Sequence, residues 1–238
     1  MPSLTTIAFD ADDTLWVNEP IFTDTRLKFE AILSDYMTID SGLEKELYAV
    51  EIRNLQLFGY GIKGFTLSMI ETALELTDYA LKGRDVERII RLGKEMLQHP
   101  VQVLPGVEEV LDELENHYRL MVITKGDLWD QENKIARSNL DRYFSVVEIV
   151  SEKDTATYAA LLKRHQLTEN ELLMVGNSLK SDIIPLLDLG AQAIHIPFHD
   201  TWAHEQLGSA QINGYKFPRL TSISELPGWL KENAGYRA

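Results

Sequence analysis

The chain contains no cysteine. Disulfides, thiolate nucleophiles and cysteine-ligated metals are therefore excluded. Positive charge is also scarce: 23 Lys and Arg stand against 37 Asp and Glu, a formal net charge of −14. No basic cluster interrupts that balance, so nothing supports neutralisation of nucleic-acid phosphates or docking on an anionic membrane surface. Neither nucleic acid nor membrane is expected as a partner. No apolar run reaches the roughly 18–20 residues that a membrane-spanning helix needs. Met1–Phe9 has no basic start and Asp10 cuts its short apolar stretch, so no secretory leader is expected and a cytoplasmic location is the default. With 14 Gly and 8 Pro among 238 residues, the chain is not of low complexity. Its composition, 45% hydrophobic and 25% charged, is enough to bury a core. Its length accommodates a main domain with a smaller second one.

Five short apolar runs punctuate the sequence: Thr5–Phe9, Leu120–Ile123, Val146–Val150, Leu172–Val175 and Ala193–Ile196. They are mostly apolar throughout rather than alternating, the pattern of parallel strands covered on both faces. Helical stripes lie between them, as in Val107, Val110, Leu111 and Leu114, and in Tyr158, Leu161 and Leu162. Alternating strands and helices predict a doubly wound, Rossmann-like α/β sheet. Residues 17–98 differ. They show helical stripes (Phe29, Ile32, Leu33, Tyr36; Val86, Ile89, Ile90, Gly93, Leu97), a glycine-rich break at Phe58–Gly64, and no convincing strand. The expected organisation is an α/β core of residues 1–16 and 99–238 with a small all-helical cap domain at 17–98.

Chemistry-bearing residues gather where these strands end. Asp10-Ala11-Asp12-Asp13-Thr14 follows the first strand. Two carboxylates two residues apart suit a nucleophile beside an acid–base partner, with a divalent cation between them. An acidic triplet is also an ordinary turn or helix cap, and Asp13 fits that use. The other strand ends weigh the balance toward chemistry. The second ends in Thr124-Lys125-Gly126, the third is followed by Lys153, and the fourth ends in Gly176-Asn177-Ser178, with Asp182 four residues on. Ligands of open α/β sheets bind at the carboxyl ends of the strands. An anionic nucleophile, a buried cation and hydroxyl or amide donors are the groups that phosphoryl transfer uses.

In its motifs the sequence resembles the haloacid dehalogenase superfamily of aspartate-nucleophile hydrolases, most of them phosphatases. Four motifs match in order: Asp10, Asp12 and Thr14; Thr124; Lys153; and Gly176, Asn177, Ser178 and Asp182. The resemblance spans essentially the whole chain, and the helical block corresponds to a cap inserted between the first two motifs. It implies that Asp10 attacks phosphorus to form an aspartyl-phosphate, and that Asp12 protonates the leaving oxygen and then deprotonates water. It implies that Thr124 and the amides after it hold phosphoryl oxygens, and that Lys153 adds positive charge. Mg²⁺ would be held by Asp10, the Asp12 backbone carbonyl, Asn177 and Asp182. Closure of the cap would exclude bulk water.

Two departures stand out. Asn177 replaces a frequent aspartate, which leaves the metal site one charge short, with Asp182 either a ligand or an outer partner. Lys125 stands where the family often has asparagine; it is either a phosphate-binding residue or a solvated loop lysine. Asp12 argues against carbon–halogen cleavage, because 2-haloacid dehalogenases lack that second acid. The expected function is Mg²⁺-dependent hydrolysis of a small phosphorylated metabolite. A phosphomutase, a phosphonate hydrolase and a non-catalytic phospholigand-binding protein are the alternatives. His195, His199 and His204 share one segment but match no zinc spacing. Trp16, close behind the first motif, either lines the entrance beneath the cap or packs in the core, with core packing the preferred reading.

Overall fold

The computed structural model describes residues 4–39 and 42–234; Met1–Ser3, the start of the segment read for a leader, lie outside them. Five strands form one parallel sheet: β1 (Thr6–Phe9), β2 (Arg119–Lys125), β3 (Val146–Val150), β4 (Leu172–Gly176) and β5 (Gln192–His195), in the order β3-β2-β1-β4-β5. Side chains alternate between two separate cores. Ile7, Phe9, Val122, Leu173 and Val175 pack on one face with Val107, Val110, Leu111 and Leu114. Ala8, Met121, Ile123 and Met174 pack on the other with Tyr158, Leu161 and Leu162. Burial on both faces is the physical reason that β1 and β4 read as unbroken apolar runs, whereas the edge strand β3 is only partly buried and admits Glu148. The chain moves outward from β1 to β3 and then returns to β4, so the direction of winding reverses between β1 and β4. A doubly wound sheet opens its ligand crevice there.

The described residues fall in two compact units. The α/β unit holds Val101–Lys125 with the chain up to Glu19 and from Asn133. The helical unit holds Pro20–Pro100 and Gly126–Glu132. The sequence-based bounds of 17–98 had left the second of these segments in the core. Lys63 Nζ lies 2.9 Å from Asp127 Oδ1, one of the bonds that joins the segment to the helical unit.

That unit is built from α1 (Glu19–Leu33), α2 (Gly42–Phe58), α3 (Ile62–Leu76) and α4 (Gly83–Gln98). Its own core includes Phe29, Leu33, Leu47, Phe65, Met69 and Ile89. Helix α4 approaches α3 at Gly93, where a Cβ would come within 2.2 Å of Thr66 Oγ1. In the α/β unit, α5 (Val107–Leu114), α6 (Leu128–Ser138), α7 (Thr155–His165) and α8 (Ile184–Asp188) follow in chain order, the first turn of α6 lying within Gly126–Glu132. No helix among the described residues is long and apolar enough to cross a membrane.

Candidate active site

The site begins where β1 ends. Asp10 N–H donates to Val175 O at 2.9 Å, which fixes the start of the loop against β4. The chain then turns sharply: Asp13 has a φ of 62°, and Leu15 N–H returns to Ala11 O at 2.8 Å. Asp13 accepts the backbone N–H groups of Asn18 (2.8 Å) and Glu19 (3.0 Å), so it caps the entry to α1, as its turn chemistry suggested. Burial pushes its carboxyl up to about 8, against the pull of those N–H donors.

Asp10 and Asp182 share one lysine. Lys153 Nζ, brought by the loop after β3, bonds Asp10 Oδ1 and lies 2.8 Å from Asp182 Oδ1. All three side chains are 10% exposed or less. Thr14 Oγ1 donates to Asp10 Oδ2 at 3.0 Å and lies 3.3 Å from Asn177 Oδ1. Asp182 Oδ2 accepts from Ser178 N–H at 2.9 Å. A Cβ at Gly176 would stand 2.3 Å from that same Oδ2, so only glycine lets the carboxyl approach the end of β4. Thr124, at the end of β2, is buried at the same sheet edge. The structure therefore gathers these residues about Asp10, with Lys153 joining it to Asp182 and Thr14 joining it to Asn177.

Burial pushes Asp10 up to about 7, because the attraction of Lys153 is outweighed by desolvation and by the nearby Asp182 charge. Burial opposes the charge on Lys153, but the Asp10 and Asp182 carboxylates raise its pKa and keep it an ammonium. One ammonium thus balances two buried carboxylates incompletely. The donors gathered here are hard oxygens: the Asp10 and Asp182 carboxylates and the Asn177 amide. Such a set, short of positive charge, fits Mg²⁺. Among the described residues no three carboxylates or imidazoles form a cluster, so the fit rests on a mixed donor set.

Asp12 occupies a different setting. Lys134 Nζ, from α6, lies 2.7 and 2.9 Å from its two oxygens, and Trp16 Nε1 donates to Oδ1 at 2.7 Å. Trp16 is thus a core residue, 1% exposed, that also orients a site carboxylate.

Lys125 is mostly buried and held in a polar network rather than solvated. Its Nζ contacts Glu205 Oε1 (2.6 Å), Ser181 Oγ (2.9 Å) and Glu152 Oε1 (3.4 Å). Glu205 also accepts from Ser178 Oγ (2.5 Å) and Ser181 Oγ (2.6 Å). The histidines divide their tasks: His195 Nε2 donates to Asn177 O at 2.9 Å, while His204 accompanies Lys180. Burial lowers the pKa of His195, in keeping with a neutral ring.

Lys134 and Glu205 escaped the sequence reading. Neither lies at a strand end, and 122 positions separate Lys134 from Asp12. The one available signal was the length of the irregular segment after β5.

The profile of the haloacid dehalogenase-like hydrolases matches residues 4–190. No curated protein matches the chain. Among solved structures, a haloacid dehalogenase-like family hydrolase from Xanthomonas campestris is 40% identical, covering 98% of this chain and 93% of its own, with a TM-score of 0.87. A 2-haloacid dehalogenase from Pseudomonas syringae pv. Tomato is 21% identical, covering 96% and 99%, with a TM-score of 0.63. A predicted phosphoglycolate phosphatase from Haemophilus somnus is 18% identical, covering 95% and 97%, also at 0.63. The last two share the fold, and their names point to different reactions on it. The profile match and the 40% identity together establish that this chain belongs to the haloacid dehalogenase-like hydrolase family.

Proposed function

We propose that the protein hydrolyses a small phosphomonoester through an aspartyl-phosphate on Asp10, with Mg²⁺. The observation that carries this reading is the second carboxylate: Asp12 stands two residues beyond Asp10, held by Lys134 and Trp16 rather than by the Lys153 cluster. Cleavage of a carbon–halogen bond releases halide, which needs no proton. An ester oxygen needs one, and a separately oriented acid supplies it.

In the first half-reaction the Asp10 carboxylate oxygen bonds to phosphorus and the ester P–O bond breaks. The leaving oxygen takes its proton from Asp12. In the second, Asp12 takes a proton from water, the water oxygen bonds to phosphorus, and the acyl–phosphate bond to Asp10 breaks. Lys153 stays an ammonium beside both carboxylates and opposes the build-up of negative charge at Asp10. Thr124 and the backbone N–H groups that follow it would hold phosphoryl oxygens. Asp10, Asn177, Asp182 and the Asp12 carbonyl would hold Mg²⁺. When bound, the cation neutralises phosphoryl charge.

The test is inorganic phosphate release from a panel of phosphorylated metabolites, with Mg²⁺ and with chelator, alongside halide release from 2-haloacids. Release of phosphate that needs Mg²⁺ is expected. Asp10→Asn should lower it by at least about a thousandfold, as loss of a covalent nucleophile does. Halide release without phosphate release would overturn the reading. Transfer of the phosphoryl group between substrate positions would reassign the site to a mutase.

A further inference from the structure

After β5 the chain makes an excursion through residues 197–217 and comes back to where it left. His195 N–H donates to Pro218 O and Leu220 N–H to His195 O, each at 3.0 Å. The excursion carries a 3₁₀ turn at Ala203–Glu205 and a short helix at Ser209–Ile212. Most of it runs along the surface, but Glu205 turns inward, its side chain only 12% exposed.

A buried carboxylate is tolerated only when its acceptor capacity is filled. Glu205 fills it with a lysine and two hydroxyls: Lys125 at the end of β2, and Ser178 and Ser181 beyond β4. Lys125 Nζ also donates to Ser181 Oγ at 2.9 Å, which closes the group into a ring. Ser178 Oγ, while donating to Glu205, accepts Ser181 N–H at 3.1 Å. Next to Glu205, Lys180 Nζ donates to His204 O at 2.9 Å.

These bonds converge on one turn. Leu179–Ile183 is a single π-helical turn, a wide and poorly packed form that proteins keep mainly at functional positions. Asn177 precedes it and Asp182 lies in it. Such a turn holds its shape when its polar side chains are anchored from outside, and here both serine hydroxyls are anchored on the same carboxylate.

We propose that Glu205 is a positioning residue: through Ser178, Ser181 and Lys125 it holds the turn that carries Asn177 and Asp182, and so sets the affinity of the site for a divalent cation. Lys125 is then the counter-ion of Glu205, not a phosphate ligand. The inference rests on the assignment of Asn177 and Asp182 to the cation site. It reaches a residue far from the four motifs, on a loop that those motifs do not include.

The experiment uses the full chain, stripped with chelator, titrated with MgCl₂ in a calorimeter. Amide hydrogen exchange of residues 178–183 is followed on the metal-free protein. Glu205→Ala should raise the Mg²⁺ dissociation constant about 10–100-fold, the scale on which supporting partners of metal ligands act. It should also speed exchange in 178–183 while leaving β1 and β4 protected. Ser178→Ala with Ser181→Ala should weaken Mg²⁺ binding similarly, and adding Glu205→Ala should change it little further, because the same linkage has already been cut. If Glu205→Ala does not fold, Glu205→Gln and the double serine variant carry the test. Wild-type protein that takes up no Mg²⁺ would remove the cation assignment, and this inference with it. Wild-type uptake with unchanged uptake in the variants would remove the inference alone.

Discussion

Ion pairs at the strand edge of the α/β unit and ion pairs on the helical unit use the same residue types in opposite surroundings. Lys153 and Asp182 are 2% and 1% exposed. On the helical unit, Arg53 reaches Glu71 and Glu75 at 2.7 Å, with the three side chains 52%, 39% and 45% exposed. The bond lengths are alike; the solvent is not. In water the pair is screened and its attraction is nearly matched by the order it imposes. Out of water each charge depends on its partner, and removing one partner strands the other. Geometry alone therefore does not rank these contacts. Burial does, and it marks the strand edge as the place where charge is held for a purpose other than stability.

The largest effect should come from stranding charge. Lys153→Met keeps the bulk of the side chain but leaves Asp10 and Asp182 facing each other without an ammonium. A loss of about 3–5 kcal/mol is expected, the range for breaking a buried pair. It would be measured by denaturant unfolding at several pH values, because loss of Lys153 removes the charge that lowers the Asp10 pKa and so favours the neutral carboxyl. Adding Asp182→Asn should restore part of that loss, since it removes one of the two carboxylates. If the double variant is as unstable as the single one, the two charges do not act as a unit, and the contrast with the surface pairs fails.

A smaller effect belongs to Glu205. Burial would raise its carboxyl, but Lys125 and the serine hydroxyls overcome this and hold it at about 2, against an ordinary value of 4.5. A carboxyl depressed in the folded state contributes stability that is fully present above its unfolded pKa and is lost as pH falls toward the folded one. The contribution is at most about 3 kcal/mol. Glu205→Gln cannot titrate. The stability gap between wild type and this variant should be flat above about pH 5 and should close between about pH 5 and pH 2. A gap that does not change with pH would mean that the carboxylate is not held by its charge.

The same contrast explains what the sequence revealed and what it concealed. The sheet was legible because parallel strands buried on both faces leave runs such as Leu172–Val175, and because Asp10 and Thr124 follow such a run directly and Asn177 comes one glycine after one. Position along the chain there is position in space. Asp13 was legible as a cap for a similar reason, since its partners lie within six residues. Lys134 and Glu205 reach their partners across long separations in sequence, from a helix face and from an irregular loop. A lysine on α6 and a glutamate in a loop look like solvated surface until the fold buries them. Lys125 shows the same limit from the other side: its position beside Thr124 was visible, but the glutamate that engages it lies 80 residues away. Membership of Gly126–Glu132 in the helical unit was hidden likewise, because the ion pair between Lys63 and Asp127 is a long-range contact.

The smallest effect is expected where the drawn contact is most conspicuous. Arg53 sits between two glutamates, and its guanidinium engages both. Asn54 Nδ2 independently donates to Glu71 Oε2 at 2.6 Å, so Glu71 keeps a partner when Arg53 is removed. Glu75, 45% exposed, regains water. Arg53→Ala should therefore leave the thermal midpoint within measurement error at physiological salt, and phosphate release unchanged. Repeating the melt at low salt should reveal whatever the pair contributes, because screening is then weaker. A loss as large as that from Lys153→Met would show that exposure is the wrong criterion for ranking charges in this protein.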